Sequence, residues 1–289
     1  MPTATLAENP TLVADALKKV STIATLPEVT AKIVQTVEDP KSTAAALHKI
    51  VAHDPALATR ILKVVNSAFY GLPGQIGSVE RAIVLLGLNA IKNIAVAASI
   101  GQLFRMAKIC EGFSAKDLWT HCIAVGVCAR DLAKQMKLPI ADEAFLAGMI
   151  HDVGILLQLQ TSPEQTRQVC EAAKGDRDFC DLEREIIGID HQQLGAALCE
   201  QWKFPHSCQL VAGNHHNPTK LTDQNRMLVN LVWAADTMCC KSKHGFNLTA
   251  CHQNLTPADL GTMQIDAAAV DRTNARLDEL MSVASTVLG

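Results

Sequence analysis

Aromatic residues, paired-cysteine motifs and long apolar runs are all scarce or missing in this sequence. Phe, Trp and Tyr make up 4% of the 289 residues although 48% are hydrophobic, so Ala, Leu, Ile and Val must build the core. Because alternating strand patterns are also missing, this composition predicts an all-α protein. No Cys-x-x-Cys pair occurs among the ten cysteines, which excludes the usual signature of a zinc ribbon or a thioredoxin-like site.

Two further absences bear on location and partners. No run approaches the roughly 20 apolar residues that a membrane span needs, and the stretch from Met1 to Glu8 lacks the basic start and apolar centre of a signal peptide. We therefore expect a cytoplasmic protein with reduced cysteines and no membrane contact. The net charge of −3 argues against a broad surface for nucleic acid.

Helix starts can be read at several places along the chain. Asp39-Pro40 and Asp54-Pro55 each combine an acidic N-cap with Pro in the first turn, and Ser78 is predicted to cap the segment Val79–Leu86. Another start is expected at Leu26-Pro27. Charged and small residues interrupt the helical pattern at Lys108–Lys116. We place a boundary there, between an N-terminal helical subdomain (1–112) and a second helical subdomain (113–289).

Two helical segments allow more than one interpretation. The pair of helices in residues 41–68 could be a helix-turn-helix that reads DNA through Arg60, Lys63 and Asn66, but plain packing is the preferred interpretation. The final helix, from about Asp266, carries an apolar stripe that belongs to the core or to a dimer seam. Its members are Val270, Leu277, Leu280, Met281, Ala284 and Val287.

A charged pair stands in the middle of the most apolar stretch. Phe145–Leu159 predicts a buried helix, yet it contains the adjacent residues His151 and Asp152. A buried carboxylate is normally paired or bound to a metal, because leaving it alone costs several kcal/mol. Adjacent residues lie about 100° apart around a helix, so these two can converge only on something beside it, such as an ion.

Other potential ligands occur in neighbouring apolar segments. They are Asp117, His121, His191, His215, His216 and Asp236, with Asp117 one helical turn before His121. One buried histidine is usually a hydrogen-bonded core residue, but so many groups on successive helices indicate a shared site. Imidazole and carboxylate together favour a divalent transition metal (Fe, Mn, Zn or Ni) over magnesium or calcium.

These residues carry a family resemblance. The order His121, His151-Asp152, Asp236 matches the metal-dependent phosphohydrolases named for their HD motif. The added His191, His215 and His216 resemble the HD-GYP branch, cyclic-dinucleotide phosphodiesterases in which the extra histidines complete a site for two or three ions. In that branch an acidic residue precedes the first His by four, the spacing of Asp117.

The N-terminal half resembles a further branch, the HDOD (HD-related output domain) family. The resemblance covers roughly residues 20–240, and the run Asn-Ser-Ala-Phe-Tyr-Gly at 66–71 is specific to it. It implies an all-helical HD-like bundle, described in bacteria as a signalling output module. Two features of HD-GYP enzymes are absent, because Ile155 replaces a phosphate-holding Lys and Asn217–Lys220 replaces the Gly-Tyr-Pro loop.

The resemblance leaves two functions open. The first is a regulatory signal-transduction protein that keeps a metal site and acts through signalling partner proteins, with a nucleotide or cyclic dinucleotide and a second copy of the chain as further candidate partners. The second is a metal-dependent phosphohydrolase acting on nucleotides or cyclic dinucleotides. In that case Asp152 would be the catalytic residue that bridges two ions. One ion would be held by His121, His151 and Asp236, and the other by His191, His215 and His216.

Overall fold

The structure is a computed structural model that describes residues 10–19, 28–38, 41–68, 70–104, 108–173, 177–221 and 226–288. Almost all regular structure in these ranges is helical, which confirms the all-α prediction. None of the described helices combines the length and the hydropathy that crossing a membrane requires. Leu26, Pro27, Asp39, Pro40 and Phe69 lie outside the described residues, so the helix starts predicted at Leu26-Pro27 and Asp39-Pro40 cannot be compared there.

Six helices come before residue 101, and a short 3₁₀-helix at Gly101–Phe104 follows them within the described ranges. They are α1 (Pro10–Lys19), α2 (Glu28–Glu38), α3 (Ala44–Ala52), α4 (Pro55–Val65), α5 (Val79–Leu86) and α6 (Leu88–Ile100). The predicted caps at Asp54 and Ser78 are confirmed, since their side chains accept hydrogen bonds from the N–H groups of Leu57 and Arg81. α3 instead starts after Thr43, whose hydroxyl accepts from Ala46.

A small β-hairpin then precedes the helices of the second half. Strand β1 (Lys108–Cys110) pairs antiparallel with β2 (Phe113–Ser114), and this short hairpin leaves the all-α prediction in place. The strands are too short to show an alternating pattern. The boundary predicted at residue 112 falls inside this hairpin and stays a prediction.

Ten helices follow the hairpin in the described part of the chain, and they differ from the predicted segments at one place. They are α7 (Ala115–Gln135), α8 (Ala141–Ile150), α9 (Val153–Thr161), α10 (Pro163–Ala172), α11 (Phe179–Ile186), α12 (His191–Gln201), α13 (His206–Asn214), α14 (Arg226–Lys241), α15 (Pro257–Met263) and α16 (Ala267–Leu288). The single buried helix expected over Phe145–Leu159 is two helices.

α7 is the central helix of the fold. Its residues are buried on every side from Cys122 to Ala133, as expected for a helix that is apolar all round. It packs against α8, α14 and α16, while α12 packs against α9 and α13. α6 contacts α2 and α4 on one side and α8 on the other, so it joins the two halves of the chain.

The apolar stripe of α16 belongs to the core. Leu277, Leu280, Met281 and Ala284 are buried where α16 packs on α7 and α4, and Val270 is half-buried. The side chain of Val287 lies outside what is described. This stripe is therefore used within the chain, which removes the argument that it forms a dimer seam.

Asn66, one of the residues suggested to contact DNA, has a structural role. Its amide donates to the carbonyls of Leu62 (2.9 Å) and Ile76 (2.8 Å), and its Oδ1 accepts from the N–H of Ile76 at 2.6 Å. The side chain thus closes the loop between α4 and α5.

Candidate metal centre

His151 and Asp152 lie at a junction between two helices. α8 ends at Ile150, α9 begins at Val153, and Asp152 leaves regular helical geometry with φ −96° and ψ 15°. The expectation of one continuous helix was therefore wrong. Because the chain turns here, neighbouring side chains that would diverge on a regular helix converge, and His151 Nε2 lies 3.2 Å from Asp152 Oδ2.

Close helix packing brings this junction to its neighbours. A Cβ on Gly154 would lie 1.9 Å from the carbonyl oxygen of His191, so only glycine lets α9 touch the start of α12. A Cβ on Gly148 would lie 2.7 Å from the Cα of Gly126, so α8 also meets the α7 backbone directly. These two contacts draw the junction toward His191 on one side and toward the helix that carries His121 on the other.

The structure brings the predicted ligands together, with the exception of Asp117. His121 comes from α7, His191 opens α12, His215 and His216 follow α13, and Asp236 comes from α14. Together with His151 and Asp152 they form overlapping sets of donors whose atoms lie within 4.8 Å of one another. All seven side chains are buried.

Asp117 instead caps α7. Its Oδ2 accepts from the N–H of Ser114 at 2.7 Å and from the Ser114 hydroxyl at 2.6 Å, and the Ser114 hydroxyl accepts from the Asp117 N–H in return. This is a capping box, which the Ser-x-x-Asp spacing already suggests. Its carboxylate is not a member of the donor sets found among the described residues.

The two oxygens of Asp152 face different histidines. Oδ1 lies 3.3 Å from Nε2 of His191 and 3.3 Å from Nε2 of His215. Oδ2 lies 3.2 Å from Nε2 of His151 and 3.7 Å from Nε2 of His121. A carboxylate with one oxygen on each side stands between two half-sites.

Asp236 completes one of these half-sites. Its Oδ1 lies 3.1 Å from His121 Nε2 and 3.9 Å from His151 Nε2, and its Oδ2 lies 3.7 Å from His216 Nδ1. The thiol of Cys240, one turn further along α14, donates to Oδ1 at 3.4 Å. His121, Asp236 and Cys240 also form one of the donor sets.

Three imidazole rings are oriented by hydrogen bonds at Nδ1. His151 Nδ1 contacts the Gly148 carbonyl at 2.7 Å, His215 Nδ1 contacts the Val211 carbonyl at 3.1 Å, and His191 Nδ1 contacts Glu183 Oε2 at 2.7 Å. A ring nitrogen facing an acceptor must carry the hydrogen, so in the neutral ring Nε2 carries a lone pair. In the neutral form of each ring, this lone pair points into the shared space beside Asp152.

Many of the converging atoms have no hydrogen-bond partner in the described part of the chain. They include both ring nitrogens of His121, Nε2 of His151, both oxygens of Asp152 and Oδ2 of Asp236. His191 Nε2 also lies 3.2 Å from Nε2 of both His215 and His216. Such a collection of buried lone pairs is costly by itself, and a bound cation would satisfy it. The residues present therefore fit a metal ion.

Electrostatics keep part of this donor set ready for a cation. Burial opposes charge on Asp152, but the neighbouring His151, His215 and His191 together outweigh it and hold the carboxyl pKa well below its usual range. Burial lowers the pKa of His215, and burial together with the neighbouring imidazoles of His215 and His191 lowers the pKa of His216 well below its ordinary value. These two rings therefore stay neutral and keep a lone pair each.

Glu183 is the member of the site that the sequence did not reveal. It is fully buried on α11, and its Oε2 accepts from both the backbone N–H (3.0 Å) and Nδ1 of His191. Burial opposes charge on His191, but Glu183 and Cys180 together outweigh it and raise the pKa of His191 well above its ordinary value. The available signal was position, since Glu183 lies one turn after the buried Phe179 on the apolar face of α11.

Both features that differ from the HD-GYP enzymes, Ile155 and the segment Asn217–Lys220, lie in the described part of the chain. Ile155 is fully buried in the core, so α9 offers no cation at that position. Asn217 precedes a short 3₁₀-helix at Pro218–Lys220, directly after His216.

The family model described as "HDOD domain" matches residues 23–218. An uncharacterized protein of Treponema pallidum (strain Nichols) is 24% identical over 225 residues, which are 76% of this chain and 43% of that protein. The chain thus spans less than half the length of this relative.

Solved structures share the fold at low identity. An HDOD domain protein of unknown function from Geobacter sulfurreducens superimposes with a TM-score of 0.81 at 20% identity, covering 96% of this chain and 97% of the other. A provisionally named signal transduction protein from Marinobacter aquaeolei VT8 gives 0.75 at 22%, covering 99% and 67%. A provisionally named phosphohydrolase from Shewanella amazonensis SB2B gives 0.72 at 21%, covering 96% and 98%.

Proposed function

The chain belongs to the HDOD domain family, and from this premise we propose that it is a signal-transduction module built around a buried transition-metal centre. The single observation that carries the proposal is the burial of the donor set. His121, His151, Asp152, His191 and His215 are 0% exposed. A donor set enclosed in this way suits a metal that stabilises a conformation better than one that meets a phosphodiester substrate.

The surroundings of the centre support a regulatory role. The buried Ile155 occupies the position of α9 at which HD-GYP enzymes carry a phosphate-holding Lys. This position therefore offers no cation to a phosphate. The N-terminal helix α1 packs against α9, which begins directly after Asp152, and against α12, which begins at His191. A change in metal occupancy would therefore be felt at α1, which lies at the surface.

The assignment of ligands follows the two sides of Asp152. His121, His151 and Asp236 would hold one ion, His191, His215 and His216 a second, and Asp152 would lie between them. The mixed imidazole and carboxylate donors suit Fe, Mn, Zn or Ni. Signalling proteins would be the partners, with a second copy of this chain or a nucleotide as further candidates.

A pair of measurements tests the regulatory proposal. Hydrogen exchange of the metal-loaded and the chelated protein should differ in α1, and the difference should vanish in Asp152→Asn but persist in Asp271→Asn, which alters an exposed carboxylate on α16. Turnover of bis(p-nitrophenyl) phosphate with Mn²⁺ or Fe²⁺ should not exceed the metal-only background. Metal-dependent turnover that Asp152→Asn abolishes, or exchange that is unchanged in α1, would contradict the proposal.

A metal-dependent phosphohydrolase is the second candidate, and the two-sided contacts of Asp152 favour it. Bound divalent ions would supply Lewis-acid activation of water and neutralise charge on a phosphoryl group. The chain's own contribution would be to hold that pair, with Asp152 between the half-sites and Glu183 fixing the ring of His191. Structures of this fold carry names from both functional classes, and fold alone does not decide between them. The turnover assay does.

A further inference from the structure

A second polar cavity lies away from the metal centre, where the two halves of the chain meet. It has a volume of about 490 Å³ and is bounded by the loop after α4, the C-terminal part of α7 and α16. We call it the basic cleft and define it by Tyr70, Arg130, Lys134, Lys137, Arg276 and Leu280. Arg130 follows His121 by nine residues on α7, so the cleft is roughly 13 Å along the helix from the metal centre.

Positive charge dominates its walls. Four cationic side chains line the cleft, and Asp131 is the one carboxylate among its described lining residues. Asp131 is already engaged, since Arg276 donates to it at 3.1 Å and Thr273 at 3.0 Å. Neither Lys134 nor Lys137 forms an ion pair with any described residue. The cleft therefore holds two lysines, Lys134 and Lys137, that form no ion pair with a described carboxylate.

The floor of the cleft is held rigidly. Arg130 is only 5% exposed, its Nε donates to Asp142 at 3.1 Å, and its guanidinium lies 4.2 Å from the centre of the Tyr70 ring. Stacking of this kind fixes a guanidinium that would otherwise be flexible. Hydrogen bonds between Asn66 and Ile76 close the same loop that carries Tyr70.

The surroundings of the basic cleft change the pKa of one of its lysines. Burial, followed by the charge of Arg130, lowers the pKa of Lys134. An anion bound between these side chains would relieve that repulsion. Three residues of the run at 66–71 line this positively charged cavity: Ala68, Tyr70 and Gly71.

We propose that the basic cleft binds a small molecule of nucleotide size that carries two or more phosphate groups. Its volume lies within the range of small-molecule pockets. Guanidinium and ammonium groups recognise phosphate oxygens through charge-assisted hydrogen bonds, and two lysines without an ion pair beside two arginines suit a multiply charged ligand better than a single carboxylate. Leu280 and the Tyr70 ring provide apolar contact for the remainder of the molecule.

The single tyrosine of the chain provides a direct test. Tyr70 is the only tyrosine in the sequence, so protein labelled with 3-fluorotyrosine gives one ¹⁹F resonance, located in the wall of the cleft. Titration with inorganic pyrophosphate and with ATP should shift this resonance saturably. The double variant Lys134→Gln/Lys137→Gln should raise the Kd by about tenfold or more, because it removes two charge-assisted contacts.

A matched variant controls for net charge. Lys203→Gln/Lys243→Gln removes the same charge from two exposed lysines that, like Lys137, have positive φ just after a helix (58°, 56° and 57°). This control should bind as the wild type does. No shift with either probe, equal affinity in the cleft variant, or a shift caused only by a DNA oligonucleotide would each overturn the proposal. Both double variants leave every metal-centre residue in place. Binding of the probe at the metal centre would therefore be the same in both variants, which distinguishes it from binding in the basic cleft.

Discussion

The buried carboxylate of Glu183 holds the first residue of α12 in place: its Oε2 lies 2.7 Å from Nδ1 of His191 and 3.0 Å from the His191 backbone nitrogen. The contact directs Nε2 of the ring toward Asp152, 3.3 Å away. Carboxylates that orient a histidine ligand in this way commonly strengthen metal binding by about ten- to a hundredfold. Glu183 therefore connects a helix outside the donor set to the geometry of the centre.

Replacing Glu183 by Gln should weaken metal binding without removing a ligand. The amide keeps the shape of the side chain but loses the negative charge that orients His191, so affinity for Mn²⁺ or Zn²⁺ should fall about tenfold or more. Titration against a competing chelator measures this. Glu185→Gln is the control, because Glu185 lies on the same helix in an exposed ion pair with Arg177. Equal affinities for Glu183→Gln and wild type would show that the contact is only structural.

Replacing Gly154 by Ala should loosen the centre by separating two helices. The added Cβ would lie 1.9 Å from the His191 carbonyl, a backbone atom that cannot rotate away. We expect a loss of about 1–3 kcal/mol in the free energy of unfolding and a lower metal content. Gly261→Ala on α15 is the control, since its Cβ meets nothing within 4 Å. It should be neutral or add roughly 0.5–1 kcal/mol.

Thermal denaturation and elemental analysis of both glycine variants provide the measurements. If Gly154→Ala proves as stable and as metal-rich as the control, then α9 and α12 do not meet as closely as described.

The Asp178–His252 ion pair predicts a pH-dependent stability. His252 Nε2 lies 3.1 Å from Asp178 Oδ2, and the mutual hydrogen bond raises the pKa of His252 to about 9 and lowers the pKa of Asp178 to about 2. Stability from His252 is complete below its ordinary pKa of 6.5 and is lost as pH rises through 9. Stability from Asp178 is present above its ordinary pKa of 3.8 and is lost as pH falls through 2.

Asp178→Asn should therefore destabilise the protein most between about pH 4 and pH 6.5. The asparagine can still cap α11, where Asp178 accepts from the N–H of Asp181, so the variant isolates the ion pair. Because both side chains are partly exposed, we expect a loss of about 1 kcal/mol. Urea denaturation at pH 5.5 and pH 10 measures the difference. A loss of equal size at both values would rule out the ion pair as its cause.

The cluster of residues that forms the candidate metal centre could be predicted from the sequence because His and Asp stand out within apolar helical segments. His121, His151, His191 and Asp236 each interrupt such a segment, and the structure brings them together. The break between α8 and α9 could not be predicted, because no proline interrupts the segment and its residues favour a helix. It accompanies a tertiary contact, the approach of Gly154 to α12.

Two acidic residues show where sequence pattern reaches its limit. The four-residue spacing from His121 predicts that Asp117 is a metal ligand, yet the Ser114-x-x-Asp117 spacing predicts a capping box equally well. In the structure, Asp117 forms the capping box. Glu183 lies among the acidic residues of α11, such as Asp181 and Glu185, and only packing shows which of them is buried. Composition and spacing find clusters of ligands, whereas the residues that orient them depend on tertiary contacts.

Elemental analysis of protein purified without chelator tests the central claim, that the buried donor set is a metal centre, most directly. The account predicts one or more equivalents of Fe, Mn, Zn or Ni per chain in the wild type and in the exposed-site control Asp271→Asn. The metal should be lost from folded Asp152→Asn, which removes the carboxylate that faces both half-sites. Wild-type protein that contains none of these metals and takes up none when they are supplied would contradict the account.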